Sequence, residues 1–420
     1  MQRLLLALAL TGTATATPVN VTIDPSPGQR IAPLAMGGFN ISWDMPIVEA
    51  LGAVRSVRVT SIRYPGGNVG DENDLTDYAL LNLAANLKLV GPGTASVVQT
   101  RVFATRTDAR NRPEDAAQAA RDAKAAGINV TYWEIGNEPD LYARNRGDAS
   151  WTPERYCQVF RDHRAAILKV DPTARFAGPA TSNGAGPARA FLEAFVRACG
   201  DVVDLLTWHE YPTDGTAPDD AALASALNIT QHAEHYRALL KDPDRNPLGY
   251  TRNIQYGVTE YGLSYRTNRP RHLADQVAAL WAAEATLRLA ETGASLAQYF
   301  AIVGAGNHGL VDLAGFPRPT LYAFQQIKHF QGTARRATTS DAAVWAHAAE
   351  NGNILTLLVT NTAVTPRDLH TVQDGYTLIG GKTFTEQTVK DEADFTHLKL
   401  APTATLPPRS LTRLVYKRLQ

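Results

Sequence analysis

The stretch Trp133-Glu134-Ile135-Gly136-Asn137-Glu138-Pro139-Asp140 decides how the chain folds. A β-type run at 128–132 leads into it, and an amphipathic helical pattern follows after a polar loop. Because proline disfavours the helical conformation for the residue before it, the run does not continue as a helix. The sequence therefore predicts that Glu138 lies where a strand ends and a loop begins. In a barrel of parallel strands, catalytic groups lie at that edge.

Strand-like runs alternate with helical patterns along residues 31–331. The predicted strands are 31–42, 61–68, 96–104, 129–137, 174–181, 204–211, 254–262 and 295–303. Helical periodicity lies between them, as in the face formed by Tyr156, Phe160 and Ile167. Eight such units predict a (β/α)8 barrel. The alternative is an open doubly wound sheet. That fold requires a glycine-rich phosphate-binding turn after its first strand, and the run at 36–40 does not have the required glycine spacing.

The pattern changes from about residue 332. Short strand-like runs now follow one another, separated by turns such as Asn351-Gly352-Asn353. This pattern predicts an all-β, sandwich-like C-terminal domain over 332–420. The alternating run within 17–30 has no neighbour in the barrel, so we assign that segment to the same accessory domain.

Residues 1–16 have the features of a secretory signal peptide. Arg3 supplies the positive charge, an apolar run occupies 4–10, and Ala14-Thr15-Ala16 fits the cleavage pattern. The apolar run is too short to span a bilayer. We therefore expect a secreted or periplasmic protein, cleaved near Ala16.

The overall charge balance excludes some partner classes. The chain carries 41 basic and 41 acidic side chains, so its formal net charge is zero. Nothing steers it toward nucleic acid or a membrane surface, and we expect neither as a partner. No metal, phosphate-loop or nucleophile-elbow motif appears, so no metal and no cofactor is expected. The oligomeric state is left open.

The two cysteines fall on neighbouring predicted helices. Cys157 lies in the first turns of one helix and Cys199 closes the next. Such helices run parallel, and an offset of about ten residues at about 1.5 Å per residue is about 15 Å. A disulfide cannot span that distance. We therefore predict two free, largely buried thiols.

A second stretch has the same form as the first. Residues 254–262 predict a strand that carries Glu260 near its C-terminal end. Glu138 would follow the fourth barrel strand and Glu260 would lie on the seventh, so the two face each other across the mouth. Two such carboxyl groups are what glycoside hydrolysis needs: about 5–5.5 Å between them allows the retaining route and about 6.5–9.5 Å indicates inversion. The sequence leaves that distance open.

The motifs around both glutamates resemble those of clan A glycoside hydrolases. Asn137-Glu138-Pro139 lies on the fourth strand and Thr259-Glu260-Tyr261-Gly262 on the seventh. The run Ile62-Arg63-Tyr64-Pro65-Gly66-Gly67-Asn68 narrows the resemblance to families 39, 51 and 79. The resemblance covers 31–331 and implies a retaining enzyme. Glu138 would be the acid/base and Glu260 the nucleophile.

The resemblance also implies roles for residues around the two glutamates. Arg63 would hydrogen-bond the nucleophile, and Asn137 would bind the sugar hydroxyl next to the anomeric carbon. Tyr211 would orient Glu260, and His209 would lie near the acid.

The chain departs from the family pattern at strand eight, where a substrate platform is expected. Many clan A enzymes present a tryptophan on strand eight, where this chain has Tyr299 and Phe300. Either ring is a candidate replacement, and Trp43 after strand one is another. Asn40, at the end of strand one, completes the predicted substrate-binding set.

The sequence therefore predicts a secreted retaining glycoside hydrolase that acts on a poly- or oligosaccharide. The alternatives are a carbohydrate-binding protein on a hydrolase fold with little turnover, and a transglycosylase. The sugar, the linkage and exo or endo action stay open. A uronic-acid substrate would require a cation at the mouth to bind its carboxylate. The candidates are Arg144, Arg266, Arg269 and His308.

Overall fold

The computed structural model describes residues 16–42, 47–269, 271–304, 306–371, 374–386, 396–397 and 403–419. The predicted signal-peptide run up to residue 15 and Trp43 lie outside the described residues. Among the helices of the described ranges, none is long and apolar enough to cross a membrane.

Strands make up the barrel and two further sheets. In chain order they are β1 Thr17–Ile23, β2 Gly38–Asn40, β3 Ser61–Tyr64, β4 Ala95–Thr100, β5 Tyr132–Ile135, β6 Phe176–Thr181, β7 Leu205–Glu210, β8 Gln255–Tyr261, β9 Leu296–Tyr299, β10 Thr333–Arg335, β11 Ala337–Thr339, β12 Val344–Asn351, β13 Ile354–Asn361, β14 Arg367–His370, β15 Tyr376–Phe384, β16 Thr396–His397, β17 Thr403–Leu406 and β18 Ser410–Arg418.

Helices lie between the barrel strands. They are α1 Leu51–Ser56, α2 Asn68–Glu72, α3 Asp77–Val90, α4 Pro113–Ala125, α5 Tyr142–Asn145, α6 Pro153–Leu168, α7 Gly186–Cys199, α8 Asp219–Ala224, α9 Leu227–Leu239, α10 Gln276–Thr292 and α11 Pro319–Ile327.

Strands β2 to β9 close into a parallel barrel in chain order. All four residues of β3, β5 and β9 are buried, as expected for strands covered by helices on the outside and filled by side chains within. The helix face predicted in α6 is also buried, from Tyr156 through Phe160 to Ile167. The predicted (β/α)8 barrel is confirmed.

The C-terminal strands form two sheets that share one core. Their orders are β11-β1-β14-β17 and β10-β12-β13-β18-β15-β16. Val19, Leu369 and Leu406 from the first sheet meet Leu357 and Leu414 from the second. The predicted all-β domain is therefore confirmed, and β1 pairs with β11 and β14 within it. The boundaries at residues 30 and 331 stay a prediction.

A buried charge cluster joins the barrel to the six-stranded sheet. His347 on β12 lies 2.9 Å from Glu284 and 2.9 Å from Glu291, both on α10. Thr360 on β13 donates to the other oxygen of Glu284 at 2.6 Å. Burial opposes the imidazolium, but Glu291 and Glu284 outweigh it and raise the pKa of His347 to about 10. The cluster therefore joins the two parts through paired charges.

The two cysteines form a disulfide, so the prediction of free thiols is wrong. The Cα atoms of Cys157 and Cys199 are 5.8 Å apart. The sequence argument assumed that α6 and α7 start at the same level. Instead, Phe195 of α7 packs against both Tyr156 and Phe160 of α6, with ring centroids 5.3 and 5.4 Å apart. The C-terminal half of α7 therefore lies beside the N-terminal half of α6, and Cys199 reaches Cys157.

We expect His347→Gln to destabilise the protein by about 3 kcal/mol, because it removes the buried positive charge that lies between Glu284 and Glu291 and leaves Glu284 paired with Arg288 alone. The folded pKa of His347 lies above its ordinary value of 6.5. Its contribution is therefore fully present below pH 6.5 and is lost as pH rises toward about 10. Urea unfolding across that range should show a weaker pH dependence in the variant. Equal slopes for both proteins would contradict this account.

We expect the double variant Cys157→Ser/Cys199→Ser to lose about 4 kcal/mol of unfolding free energy, because the bond closes a long loop in the unfolded chain. Urea unfolding with and without reductant measures the effect. A reduced wild type as stable as the oxidised one would contradict it.

Candidate active site

The loop after β5 turns Glu138 into the barrel mouth. Glu138 adopts a left-handed conformation, with φ 46° and ψ 49°, just before a short 3-10 turn at Pro139–Leu141. Its N–H donates to the carbonyl of Ala180 at 2.9 Å. A non-glycine residue rarely adopts this conformation, and such strain concentrates at functional sites. The proline after Glu138 and the bond to Ala180 hold the turn in place.

Arg63 at the end of β3 lies at the centre of the mouth and is completely buried. Its Nε donates to Glu134 at 2.5 Å, and its Nη2 donates to Asn137 at 2.8 Å. Its Nη1 donates to Asn40 at 3.1 Å and to Glu260 at 3.0 Å. Burial opposes the charge, but Glu134 and Glu260 outweigh it and raise the pKa of Arg63. One guanidinium therefore bonds to residues from β2, β5, β8 and the loop after β5.

Glu260 on β8 has a fixed orientation. Its Oε2 accepts from Arg63, and its Oε1 accepts from the Tyr211 hydroxyl at 2.7 Å. Its side chain is 11% exposed, so one part of the carboxylate faces the mouth. The pKa of Tyr211 is raised well above 10 by burial and by Glu260, which keeps the hydroxyl a donor.

Glu138 lies in a different environment. Its Oε1 is 2.9 Å from Nδ1 of His209 on β7. Burial raises the pKa of Glu138 to about 7, against the opposing charge of Arg63. Burial also lowers the pKa of His209, so its imidazole is neutral near pH 7. The Glu138 carboxyl can therefore hold a proton where most glutamates cannot.

The two glutamates approach closely. One carboxylate oxygen from each, together with Nδ1 of His209, lie within 4.8 Å of one another. Three such ligand atoms are close enough to hold a divalent ion, but the guanidinium of Arg63 beside Glu260 disfavours a second cation. The expectation of no metal stays a prediction.

Aromatic and small residues form the wall beside Glu260. A Cβ atom on Gly67 would lie 3.3 Å from Glu260 Oε2 and 3.4 Å from the Phe300 ring. The rings of Phe300 and Tyr211 both pack edge-on against His308, with centroids 5.2 and 6.5 Å away. Gly67 therefore leaves room that a side chain would fill.

A polar cavity lies beside Glu138, between the loops after β3 and β5. Its walls include Asn68, Asp71, Asn137, Tyr142 and Arg146. Asp71 is buried and accepts from the Tyr142 hydroxyl at 2.8 Å. Burial raises the pKa of Asp71 to about 8. The sequence analysis missed Asp71, although it lies only three residues after the Tyr-Pro-Gly-Gly-Asn run that marked the strand end.

Two predicted substrate contacts need correction. Asn40 is completely buried; its Oδ1 accepts from Arg63 and its Nδ2 donates to the carbonyl of Thr259 at 3.0 Å. It therefore supports Arg63 from behind. Tyr299 is 2% exposed and packs on Phe324 in the core, because its side chain points out of the barrel. Phe300 faces the site instead.

The remaining predicted site residues come together at the mouth. They are Glu138, Glu260, Arg63, Asn137, His209 and Tyr211. Thr207 also belongs to this network, since its hydroxyl donates to Glu134 at 3.1 Å. The only sequence signal for Thr207 was its position two residues before His209 on β7, which puts both side chains on one face of the strand.

Comparison with known proteins places the chain among glycosidase-like sequences and structures. No family model matches. Heparanase from Rattus norvegicus is 26% identical over 211 residues, which are 49% of this chain and 38% of heparanase. A beta-xylosidase from Caldicellulosiruptor saccharolyticus is 24% identical over 222 residues, which are 49% of this chain and 42% of the xylosidase. The matched region is thus less than half the length of each relative.

The fold is also shared with a solved enzyme. The structure of a family 51 alpha-L-arabinofuranosidase from Bifidobacterium longum aligns with a TM-score of 0.75 at 16% identity, and covers 95% of this chain and 100% of that one. At this identity the likeness shows the fold. The comparisons confirm the predicted resemblance to the clan A glycoside hydrolases.

We expect the Glu138 carboxyl to titrate near pH 7, because burial disfavours its charged form. Isotope-edited infrared spectra of the carboxyl band, taken against pH, would measure this, and Glu138→Gln should remove the step. The matched control is Glu210→Gln, since Glu210 is buried on β7 but faces Trp208 and His232. A Glu138 carboxyl that is already half ionised at pH 4.5, the ordinary pKa of a glutamate, would contradict the prediction.

Proposed function

We propose that the protein is a retaining glycoside hydrolase in which Glu138 is the acid/base and Glu260 is the nucleophile. The observation that carries this proposal is the approach of the two carboxyl groups, whose nearest oxygens lie within 4.8 Å. This distance suits the retaining spacing of about 5–5.5 Å rather than the wider inverting one.

The environments of the two glutamates support their assigned roles. Glu138, with its pKa raised to about 7, is protonated at mildly acidic pH and can give a proton to the departing oxygen. Glu260 accepts hydrogen bonds from Arg63 and Tyr211 and presents its carboxylate to the anomeric carbon. Two carboxyl groups in contrasting surroundings divide the acid and nucleophile roles.

The proposed reaction has two steps. First, a Glu260 oxygen forms an ester bond to the anomeric carbon while the glycosidic C–O bond breaks, and the departing oxygen takes the Glu138 proton. Second, Glu138 takes a proton from water, whose oxygen attacks the same carbon and releases Glu260. The sugar leaves with its original configuration, and Glu138 is protonated again.

Asn137 is placed to recognise the sugar. Its Oδ1 accepts from Arg63, which leaves the Nδ2 group as a donor beside Glu138. We propose that this group binds the hydroxyl next to the anomeric carbon, as the resemblance implies. A hydrogen bond of this kind strengthens in the transition state.

We propose a neutral glycosyl group rather than a uronic acid next to Glu260. Among the described residues, the cation in contact with Glu260 is Arg63, and each of its three side-chain nitrogens already donates to a protein acceptor. His308 at the wall has a pKa lowered to about 4 by burial, so it is neutral. Arg269 pairs with Asp214 at 3.2 Å.

Among the described residues, neither of the two other candidate cations pairs with Glu260, and the charge of Arg144 acts on Glu138 instead. The Arg266 guanidinium lies over the ring of Tyr265, 5.3 Å from its centroid. Arg144 is exposed, and its Nε donates to Asn145 at 3.2 Å. This arrangement supports pentosyl or hexosyl substrates without a carboxylate.

We also propose that the protein acts outside the cytoplasm. The Cys157–Cys199 disulfide supports this, because such bonds persist in oxidising compartments. The predicted signal peptide points to the same compartment.

The test is hydrolysis of nitrophenyl arabinofuranoside, xyloside, galactoside, glucoside and glucuronide by wild type, Glu260→Ala and Glu138→Ala. We expect activity on a neutral sugar and not on the glucuronide, with complete loss in Glu260→Ala. Glu138→Ala should lose about 10²–10⁴-fold on poor leaving groups. It should keep most of kcat/KM for dinitrophenyl glycosides, because those leave without a proton.

Controls make the test specific. Glu210→Gln should stay active, because that buried glutamate faces away from the mouth. Azide, which needs no general base, should restore turnover of Glu138→Ala and give a glycosyl azide of retained configuration by NMR. Activity that survives in Glu260→Ala would overturn the proposal. Binding of oligosaccharides without turnover would favour the carbohydrate-binding alternative.

A further inference from the structure

Glu134 makes contacts in two directions from one buried carboxylate. It lies on β5, four residues before Glu138, and is completely buried. Its Oε2 accepts from Nε of Arg63 at 2.5 Å, and its Oε1 accepts from the hydroxyl of Thr207 at 3.1 Å. Each of these contacts leads to a different one of the two proposed catalytic glutamates.

The first of these two chains of contacts, or arms, connects Glu134 through Arg63 to Glu260. The guanidinium is planar and rigid, so fixing its Nε also fixes the direction of its other two nitrogens. Nη1 then reaches Glu260 at 3.0 Å, and Nη2 reaches Asn137 at 2.8 Å. Glu134 thereby orients the group that holds the nucleophile and the sugar-binding amide.

The second arm runs through Thr207 to Glu138. The Thr207 oxygen accepts from the N–H of Ala180 at 3.1 Å, and the carbonyl of Ala180 accepts from the N–H of Glu138 at 2.9 Å. Ala180 and Glu138 both have left-handed backbones, with φ of 54° and 46°. Such conformations persist only where surrounding contacts hold them. The Thr207 hydroxyl supplies one of those contacts.

We infer that Glu134 is a positioning residue that holds both proposed catalytic glutamates, Glu260 through Arg63 and Glu138 through Thr207. The inference rests on the proposed hydrolase function and adds a residue that lies behind the substrate site. A purely structural reading makes Glu134 only the counter-ion of a buried arginine. The two readings differ at Thr207, which carries no charge.

The charge of Glu134 has a second consequence. Arg63 shares one positive charge between Glu134 and Glu260, so an uncharged residue at position 134 would leave more of that charge acting on the mouth. The charged and titratable groups that face Glu138 are Glu260, Arg63, Arg144, Arg146, His209, Tyr211, Asp71 and Asp140. With these unchanged, Glu134→Gln should move the basic limb of the pH profile to lower pH.

The first experiment compares Glu134→Gln with Glu284→Gln. Both replace a completely buried, ion-paired glutamate by its amide, but Glu284 lies in the cluster with His347. We expect kcat for Glu134→Gln to fall about 10²-fold with little change in KM, because misplacement by about 1 Å costs that much in the transition state. Glu284→Gln should lose stability and keep wild-type kcat and pH profile.

The second experiment isolates the Thr207 arm. Thr207→Val keeps the shape and removes the hydroxyl, whereas Thr207→Ser keeps the hydroxyl. We expect the valine variant to lose kcat/KM for phenyl glycosides, which need the Glu138 proton, by about 10-fold or more. It should lose little for dinitrophenyl glycosides. The serine variant should resemble wild type on both.

The outcomes separate this inference from the proposed function. Equal kinetics and pH profiles for Glu134→Gln and wild type would overturn it, and so would equal behaviour of the valine and serine variants. Should Glu134→Gln fail to fold, the Thr207 pair decides. A wild type that hydrolyses no glycoside contradicts the proposed function instead. The infrared titration of Glu138 in Thr207→Val then tests the inference, which predicts a shifted carboxyl and is overturned by an unshifted one.

Discussion

The burial of Arg63 is the constraint on which the barrel mouth depends. A guanidinium without water is stable only when carboxylates and hydrogen-bond acceptors surround it. This chain supplies Glu134, Glu260, Asn137 and Asn40, which come from separate parts of the barrel. Satisfying one cation therefore draws these elements into a single arrangement. The geometry of the proposed catalytic pair follows from this electrostatic requirement.

The same cation makes the two glutamates unequal. Glu260 accepts a hydrogen bond directly from Arg63. Glu138 contacts the neutral imidazole of His209 instead, and Arg63 acts on it only through the longer-range electrostatic interaction. Burial without a bonded cation raises the pKa of a carboxyl group. The contrast between the proposed acid, Glu138, and the proposed nucleophile, Glu260, thus arises from their different positions around one cation, without any difference in side-chain chemistry.

Features of the fold and the site that depend on a short stretch of sequence could be predicted. Strand periodicity and the proline after Glu138 gave the barrel and the position of both glutamates at strand ends. The sequence did not show which of two adjacent aromatic residues faces the site. Successive side chains of a strand point to opposite faces, and the strand's position in the barrel turns Phe300 inward and Tyr299 outward. The Cys157–Cys199 bond depends on how far one helix is shifted along the other. Loop lengths determine that shift, and hydrophobic periodicity carries no information about it.

Rigid and variable parts of the site lie on different elements. Arg63, Glu134, Thr207 and Glu260 all lie within barrel strands, where backbone pairing to neighbouring strands limits their movement. The wall that would meet the rest of the sugar comes from loops, as at His308 beyond β9. Loops tolerate change that strands do not. The chemistry can therefore stay fixed while the accepted sugar changes, since altering the wall leaves the buried charge network untouched.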